Sequence, residues 1–290
     1  GFDYVKTETV GMHWPMRWEL ADDTAEETAH RQGRSWMNEH TGPVTNWEEF
    51  EQYPWPDPDL DANYHVMEWA ERNVPDDMCV MGGNLGHFAE YLSWLMGYET
   101  LCFALYEQRD LVEAIADRLL NIYRRQLRRM LEFDRMTMVF PSDDMGFRTG
   151  LLISPDDTRQ FVLAGHKALA AMAHDAGRLY LLHCCGYLYD IIDDLVHDVR
   201  IDAKHSYEDT IEDVRGVKHT YGREIAMLGG IDVDFLCRSD EQAIRRRVRD
   251  TLDKCLPGGG YCLGTGNTAC NYIPLDNYLA MVDEGRLYTA

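Results

Sequence analysis

Residues 155–186 read PDDTRQFVLAGHKALAAMAHDAGRLYLLHCCG, which predicts one helix followed by one strand. Pro155, followed by two aspartates, is a typical helix start, because proline fits the first turn and acidic side chains oppose the positive helix N-terminus. Gly177 is a typical helix end. The apolar run at 179–182 then predicts a buried strand, which ends in the polar segment 183–186. Helices that alternate with strands in this way are typical of α/β folds.

The same alternation continues along the chain from about residue 60. Apolar runs predict strands at residues 78–81, 137–140, 179–182, 201–204, 225–228 and 261–263. Segments of helical period lie between them, at residues 111–133, 155–176, 191–196 and 240–255. Polar and apolar residues also alternate over 3–10, which predicts a further strand. Strands that alternate with helices form a parallel sheet, and a total near eight favours a single closed (β/α)8 barrel, the TIM barrel.

The N-terminal part is less regular than the rest. Residues 1–60 are rich in tryptophan, proline and acidic side chains, and we interpret them as an irregular part of the same barrel domain, which residues 61–290 complete. The chain begins with glycine, so we expect a processed or truncated N-terminus and allow for a missing first barrel element.

Charge and composition disfavour several classes of binding partner and a location in the membrane. The chain has 290 residues with 28 Lys and Arg against 50 Asp and Glu, a formal net charge of -22. Such an acidic surface disfavours nucleic acids and anionic membranes as partners. The sequence contains no apolar run near the roughly 20 residues that cross a bilayer. Without a secretory leader, the eight cysteines are expected to be reduced thiols, which favours the cytoplasm.

Polar or small residues follow each of the six apolar runs. These strand ends are residues 82–84, 141–144, 183–186, 205–208, 229–232 and 264–267. In a parallel barrel the C-terminal ends of all strands meet at one rim, where active sites are built. We therefore expect the functional site at this rim.

The first candidate group contains a histidine and cysteines. His183 and Cys185 lie two residues apart on a strand, so they point to the same side, and an imidazole with a thiolate suits zinc. Cys270 is a candidate third ligand, and a carboxylate at Glu90, Asp202 or Glu208 is the alternative. A buried histidine with inert cysteines is the competing interpretation.

The second candidate group consists of acids and bases at other strand ends. Asp143 and Asp144 are candidate catalytic carboxylates, although at most one of two adjacent side chains is expected to face a pocket. The alternative is a carboxylate that caps a helix or pairs with Arg148. His205 is a candidate acid, base or hydrogen-bond donor, whereas a structural pair of Lys204 with Glu208 is the simpler reading of that segment. The candidate substrate contacts are Asn84, Arg148, Glu208, Asp232 and Asn267.

Six segments taken in order resemble the uroporphyrinogen decarboxylase superfamily. They are residues 83–92, 142–155, 183–186, 202–206, 229–232 and 258–277. The superfamily also includes cobalamin-linked methyltransferases that act on methanol, methylamines and aryl methyl ethers. The resemblance implies a (β/α)8 barrel with a deep central cleft, and homodimers are common in this superfamily.

The decarboxylase branch is matched less well than the methyltransferase branch. The segment 31–34 is one residue short of the Arg-Gln-Ala-Gly-Arg motif that grips substrate carboxylates, and we treat it as chance. Tyr91 matches the decarboxylase tyrosine and is a candidate catalytic residue, but Asn267 stands where the late histidine is expected. Together with the charge of -22, these departures disfavour decarboxylation of a tetrapyrrole.

The methyltransferase branch binds zinc through a His-x-Cys motif and a distant cysteine. His183 and Cys185 match the first two ligands, whereas Asn267 occupies the third position and Cys270 lies three residues further on. The resemblance therefore implies a zinc site that has been rebuilt with Cys270 or a carboxylate, or has been lost.

The resemblance to this branch implies a methyltransferase that moves a methyl group between a small methylated substrate and a corrinoid protein. The substrate is expected to be a methyl ether, methylamine or thiol held against Asp143 or Asp144, His205 and Tyr91. Cobalamin is expected on a separate protein. A metal-free decarboxylase with a basic pocket and a non-catalytic binding barrel without an open cavity are the alternatives.

Overall fold

The computed structural model describes residues 4–21 and 34–289. Its strands are, in chain order, β1 (Tyr4–Glu8), β2 (Trp18–Ala21), β3 (Arg34–Met37), β4 (Cys79–Gly83), β5 (Met136–Val139), β6 (Gly146–Phe147), β7 (Gly150–Leu151), β8 (Leu179–His183), β9 (Ala203–His205), β10 (Ala226–Leu228) and β11 (Tyr261–Cys262).

The helices are α1 (Trp47–Gln52), α2 (His65–Asn73), α3 (Phe88–Met96), α4 (Tyr98–Glu107), α5 (Arg109–Met130), α6 (Pro155–Thr158), α7 (Ala164–Asp175), α8 (Val214–Tyr221), α9 (Val233–Arg238), α10 (Glu241–Cys255) and α11 (Leu275–Leu287). A 3-10 turn covers Asp61–Tyr64, and π-helical turns cover Arg159–Leu163 and Asp194–Val199. Among the described residues, no helix combines the length and the apolar character that crossing a membrane requires.

Seven parallel strands form the main sheet, in the order β1, β4, β5, β8, β9, β10, β11. Each strand thus pairs with the next parallel strand along the chain, and the sheet curls into a half-barrel. The two remaining pairs, β2 with β3 and β6 with β7, are antiparallel hairpins. The predicted α/β barrel class is confirmed, and all seven predicted strand segments overlap observed strands.

Side chains alternate between two layers along each strand of the sheet. Met81, Leu181 and Ala203 form one buried cluster, whereas Tyr180 and Leu182 belong to the larger core that packs against the helices. Because the period of a strand is two residues, the side that carries Leu181 in β8 also carries His183. The apolar cluster therefore forms the interior of the half-barrel, and the polar rim begins directly after it.

Candidate metal centre and active site

Three side chains from two neighbouring strand ends meet at the rim. Asp144, His183 and Cys185 each offer one ligand atom, and these atoms all lie within 4.8 Å of one another. The Nε2 atom of His183 is 3.3 Å from the Cys185 sulfur and 3.7 Å from Oδ1 of Asp144. A bridge between Ser142 and His183 extends the sheet beyond β5, and the backbone amide of Cys185 donates to Asp144 Oδ1 at 3.2 Å. Sheet register therefore brings Asp144 beside Cys185.

A chain of hydrogen bonds fixes the tautomers of the two rim histidines. His205 Nε2 lies 3.1 Å from the carbonyl oxygen of Thr265, which can only accept, so this nitrogen carries a hydrogen. His205 Nδ1 lies 2.6 Å from His183 Nδ1. Because both rings are neutral, His205 Nδ1 is the acceptor of this hydrogen bond and His183 Nδ1 is the donor. The lone pair of His183 Nε2 is consequently directed at Cys185 and Asp144.

Both rim histidines are neutral in this environment. Burial lowers the pKa of His183 to about 4, and the charge of Lys204 adds to the effect. Burial also lowers the pKa of His205 to about 4, together with the neighbouring His183. Neutral imidazole is the form that binds metal ions.

The Cys185 sulfur lies beside the carboxylate of Asp144 and accepts a hydrogen bond from Asn267. Burial and, to a smaller extent, the negative charge of Asp144 raise its pKa to about 12. The side-chain amide of Asn267 donates to the sulfur at 3.3 Å and to Glu208 Oε1 at 3.0 Å. A negatively charged Asp144 carboxylate beside the Cys185 sulfur disfavours the thiolate. A cation bound between the carboxylate and the sulfur would remove this repulsion, because it pairs with both groups.

The donor set fits a zinc ion better than a hard cation. One imidazole nitrogen, one sulfur and one carboxylate oxygen are ligands that zinc accepts, whereas magnesium and calcium prefer oxygen alone. The outer contact from His205 to the distal nitrogen of His183 is the kind of support that metal-bound histidines have. Three protein ligands also leave a fourth position for a reacting group, as in catalytic rather than structural zinc sites.

Asp143 is placed differently from its neighbour. It is fully buried, and its oxygens accept from the backbone amides of Ala89 and Glu90, both at 3.0 Å, and lie 2.9 Å from His166 Nε2. The carboxylate thus supports the first turn of α3. These contacts fit the helix-capping alternative for Asp143, and of the two aspartates it is Asp144 that lies beside His183 and Cys185.

The sequence analysis did not predict that His87 and Glu90, which lie near Asp143, form a hydrogen-bonded pair. His87 Nδ1 lies 2.5 Å from Glu90 Oε2, and both side chains are largely buried. Burial raises the pKa of Glu90 to about 7, although His87 opposes this effect. The ring of His87 stacks on Tyr91 at 5.1 Å, and burial raises the pKa of Tyr91 above its ordinary value. A histidine followed three residues later by an acid at a helix start was the available signal.

The other sequence-predicted residues lie outside this cluster. Arg148 is exposed between β6 and β7, and Asn84 donates to the carbonyl of Thr9 at 3.1 Å. Asp232 caps α9 through the amide of Phe235. Asp202 accepts from the amide of Tyr180 at the opposite end of the strands, away from the rim.

Two pairings differ from those expected. Cys270 is not part of the three-residue cluster and instead lines a neighbouring cleft. The buried ammonium group of Lys204 pairs with Glu212 at 3.3 Å rather than with Glu208, whose partner is Asn267. The segment 31–33 lies outside the described residues.

A cleft of about 890 Å³ opens beside the metal cluster. Its wall consists of helix α9 and of the loops that follow β9, β10 and β11, and includes Glu208, Asp209, Thr210, Asp232, Val233, Asp234, Phe235, Cys237, Arg238, Ser239, Asn267, Thr268, Cys270 and Tyr272. Acidic groups outnumber the single arginine of this wall, which pairs with Asp234 at 2.6 Å. The hydrogen-bonded pair of Asn267 and Glu208 lies between this cleft and Cys185.

Comparisons with known proteins agree with this architecture. The uroporphyrinogen decarboxylase (URO-D) family matches residues 36–288. A methyltransferase from Methanosarcina mazei has a similar structure, with a TM-score of 0.66 and 18% identity over 92% of this chain and 75% of that chain. A Listeria monocytogenes protein provisionally described as a vitamin-B12-independent methionine synthase gives a TM-score of 0.42 and 13% identity over 75% of this chain and 66% of that chain. No curated protein matches this sequence.

The family match spans most of the chain, and it includes six of the seven parallel strands and every residue of the cluster. The likeness to the Methanosarcina structure is a likeness of fold. Strand order, rim and sequence match lead to the same conclusion: the chain belongs to the uroporphyrinogen decarboxylase family.

Proposed function

We propose that the chain is a methyltransferase that moves a methyl group between a small methylated substrate and a corrinoid protein. The observation that carries this proposal is the cluster of Asp144, His183 and Cys185 at the rim of a barrel of this family. The similar fold of a Methanosarcina methyltransferase supports it.

In this proposal Asp144, His183 and Cys185 hold a zinc ion. When bound, zinc would supply Lewis-acid activation of the group that gives or receives the methyl. The chain's own residues perform the rest. His205 orients the imidazole of His183 through the 2.6 Å contact, and the Thr265 carbonyl keeps His205 in the required tautomer. Tyr91, His87 and Glu90 border the same rim and are proposed to exclude water from the substrate.

The transfer is a displacement at the methyl carbon. The bond from carbon to the substrate heteroatom breaks and leaves its electron pair on that heteroatom, while Co(I) of the corrinoid partner supplies the pair for the new carbon–cobalt bond. The reverse direction uses the same pairs. The barrel contributes position, because reacting groups held in line react faster than free ones.

The character of the cleft favours this function over both alternatives. A tetrapyrrole decarboxylase must bind several carboxylates, but the wall has four acidic side chains and one arginine, Arg238, which is paired with Asp234. Like charges would repel such a substrate. A binding barrel without catalysis was expected to have no open cavity, whereas the cleft has about 890 Å³. A neutral or cationic small substrate suits it better.

An anaerobic methylation assay tests the proposal. The zinc-loaded protein is mixed with cob(I)alamin and, in separate reactions, a methoxyphenol, trimethylamine or dimethyl sulfide, and methylcobalamin formation is followed by absorbance. We expect turnover with at least one donor, and its loss in Cys185→Ala. Failure of all three donors, together with carbon dioxide release from uroporphyrinogen, would favour the decarboxylase.

A further inference from the structure

Asn267 makes three hydrogen bonds that use its whole amide group. Its Oδ1 accepts from the backbone amide of Thr268 at 2.7 Å. Its Nδ2 donates one hydrogen to Cys185 Sγ at 3.3 Å and the other to Glu208 Oε1 at 3.0 Å. Since a carboxylate only accepts and a backbone amide only donates, these partners fix which way the amide points.

We propose that Asn267 is a positioning residue, which holds the Cys185 sulfur beside His183 and Asp144 and connects the metal centre to the wall of the substrate cleft. The inference deepens the proposed function only in that it takes the cluster as a metal centre. It requires no particular methyl donor.

The hydrogen-bond donors and acceptors around the Cys185 sulfur support this role. The sulfur accepts from Asn267 and, as a thiol, faces the lone pair of His183 Nε2 at 3.3 Å. A metal ion replaces the thiol hydrogen in that gap, while the Asn267 amide keeps its bond to the sulfur. Outer contacts of this kind orient metal ligands, and their removal weakens metal binding by about 10- to 100-fold.

The contact with Glu208 makes Asn267 more than a local support. Glu208, Asn267 and Thr268 all line the cleft of about 890 Å³. The carboxylate of Glu208 holds one amide hydrogen, and the Thr268 amide holds the oxygen, so the second amide hydrogen remains aimed at the sulfur. The anchor of Cys185 is therefore part of the substrate-binding wall.

Metal binding by single-site variants tests this inference. Zinc affinity is measured by competition with a chromogenic chelator, and Co(II) replaces zinc for absorption spectroscopy of the sulfur-to-metal band. Asn267→Ala is expected to bind metal with about 10- to 100-fold lower affinity and to shift the sulfur band. Cys270→Ala is the matched control, because Cys270 lines the cleft without belonging to the cluster, and it is expected to change neither quantity.

A gain-of-ligand variant gives the opposite expectation. The side chain of Asn267 already reaches the Cys185 sulfur, at 3.3 Å from its Nδ2, so a sulfur bonded to the same Cβ would lie in the same neighbourhood, and two thiolates on one zinc ion are about 3.8 Å apart, as follows from tetrahedral bonds of about 2.3 Å. Asn267→Cys is therefore expected to bind zinc more tightly than the wild type. Its sulfur-to-cobalt band should have about twice the intensity, because two thiolates contribute.

Unchanged affinity and an unchanged cobalt spectrum in a folded Asn267→Ala protein would overturn the inference. If that variant does not fold, Glu208→Gln decides, since it weakens the amide's anchor without touching the cluster; a smaller loss of affinity supports the inference, and none overturns it. Methyl transfer by the wild type is measured separately. Expected metal results without methyl transfer would support the inference and remove the proposed function.

Discussion

At the residue scale, two adjacent aspartates have opposite environments. Asp143 is fully buried and has three partners, whereas the side chain of Asp144 is 46% exposed and lies beside His183. Sequence analysis predicted that at most one of them faces a pocket, because adjacent side chains diverge. Which of the two aspartates faces the pocket depends on the register of the sheet, and the register cannot be read from a single sequence.

The contrast predicts different effects of the same substitution. Asp143→Ala removes the partner of the buried His166 Nε2 and of two backbone amides of α3, while His166 Nδ1 keeps its contact with the Tyr180 hydroxyl, so the free energy of unfolding should fall by about 3 to 5 kcal/mol. Asp144→Ala is the matched control and should change it by less than about 1 kcal/mol. Urea unfolding of the metal-free proteins measures both. Equal losses would contradict the assignment.

The buried pair of His87 and Glu90 predicts a pH dependence of stability. Burial raises the pKa of Glu90 from 4.5 to about 7, so the unfolded chain releases this proton at lower pH than the folded protein. Stability from this group is present below about pH 4.5 and is lost as the pH rises through about 7, on the order of 2 kcal/mol. The net raised pKa of His87 acts in the same direction.

Glu90→Gln cannot lose a proton, and it isolates this contribution. The free energy of unfolding of wild type and variant is compared by urea titration between about pH 5 and pH 8. The wild type should lose stability relative to the variant as the pH rises. A constant difference across this range would show that the pair does not titrate there.

Two of the three candidate metal ligands were predictable at this scale and the third was not. The two-residue period of a strand places His183 and Cys185 on one side. The third ligand lies on another strand end, where Asp144 is brought close by the bridge between Ser142 and His183. Cys270 has the more suitable side chain for zinc, but the fold directs it to the neighbouring cleft.

At the element scale, the turn after β8 depends on one glycine. Gly186 has a φ of +97°, and a Cβ placed there would lie 2.1 Å from the carbonyl oxygen of Gly146 in β6. The hairpin of β6 and β7 thus packs directly against the turn that follows Cys185. A side chain at this position must displace the hairpin or the adjacent Cys185.

Gly186→Ala should therefore destabilise the protein by at least about 2 kcal/mol, which lowers the melting temperature by about 3 °C or more in a chain of this size. Gly150→Ala is the control in the same hairpin, because a Cβ there meets no atom within 4 Å. Thermal unfolding followed by circular dichroism compares the two. Similar melting temperatures would contradict the close packing of hairpin and turn.

Strands of the parallel sheet were predictable, and the hairpins were not. Apolar runs bounded by polar residues overlap six of the seven parallel strands, since burial on both faces produces such runs, and β1 was predicted from the alternation of polar and apolar residues instead. Strands β6 and β7 have two residues each, which is too short for a periodic pattern of polar and apolar residues. The predicted helix over 155–176 contains a π-helical turn at Arg159–Leu163, a local change that no composition pattern encodes.

At the scale of the whole molecule, charge and fold restrict the function together. The net charge of -22 and the acidic wall of the cleft both disfavour a substrate with many carboxylates. The sequence alone indicated the family from its strand ends, and the family match confirms it. Sequence did not reveal that the cleft and the metal cluster share Asn267, because that contact joins the loops after β8 and β11.

The central claim is that Asp144, His183 and Cys185 form a metal centre at the rim. The most direct test is the metal content, by elemental analysis, of protein purified without chelators. The account predicts about one zinc ion per chain in the wild type and in Cys270→Ala, and loss of zinc in Asp144→Ala, His183→Ala and Cys185→Ala. A wild type without metal, or the same zinc content in all five proteins, would contradict it.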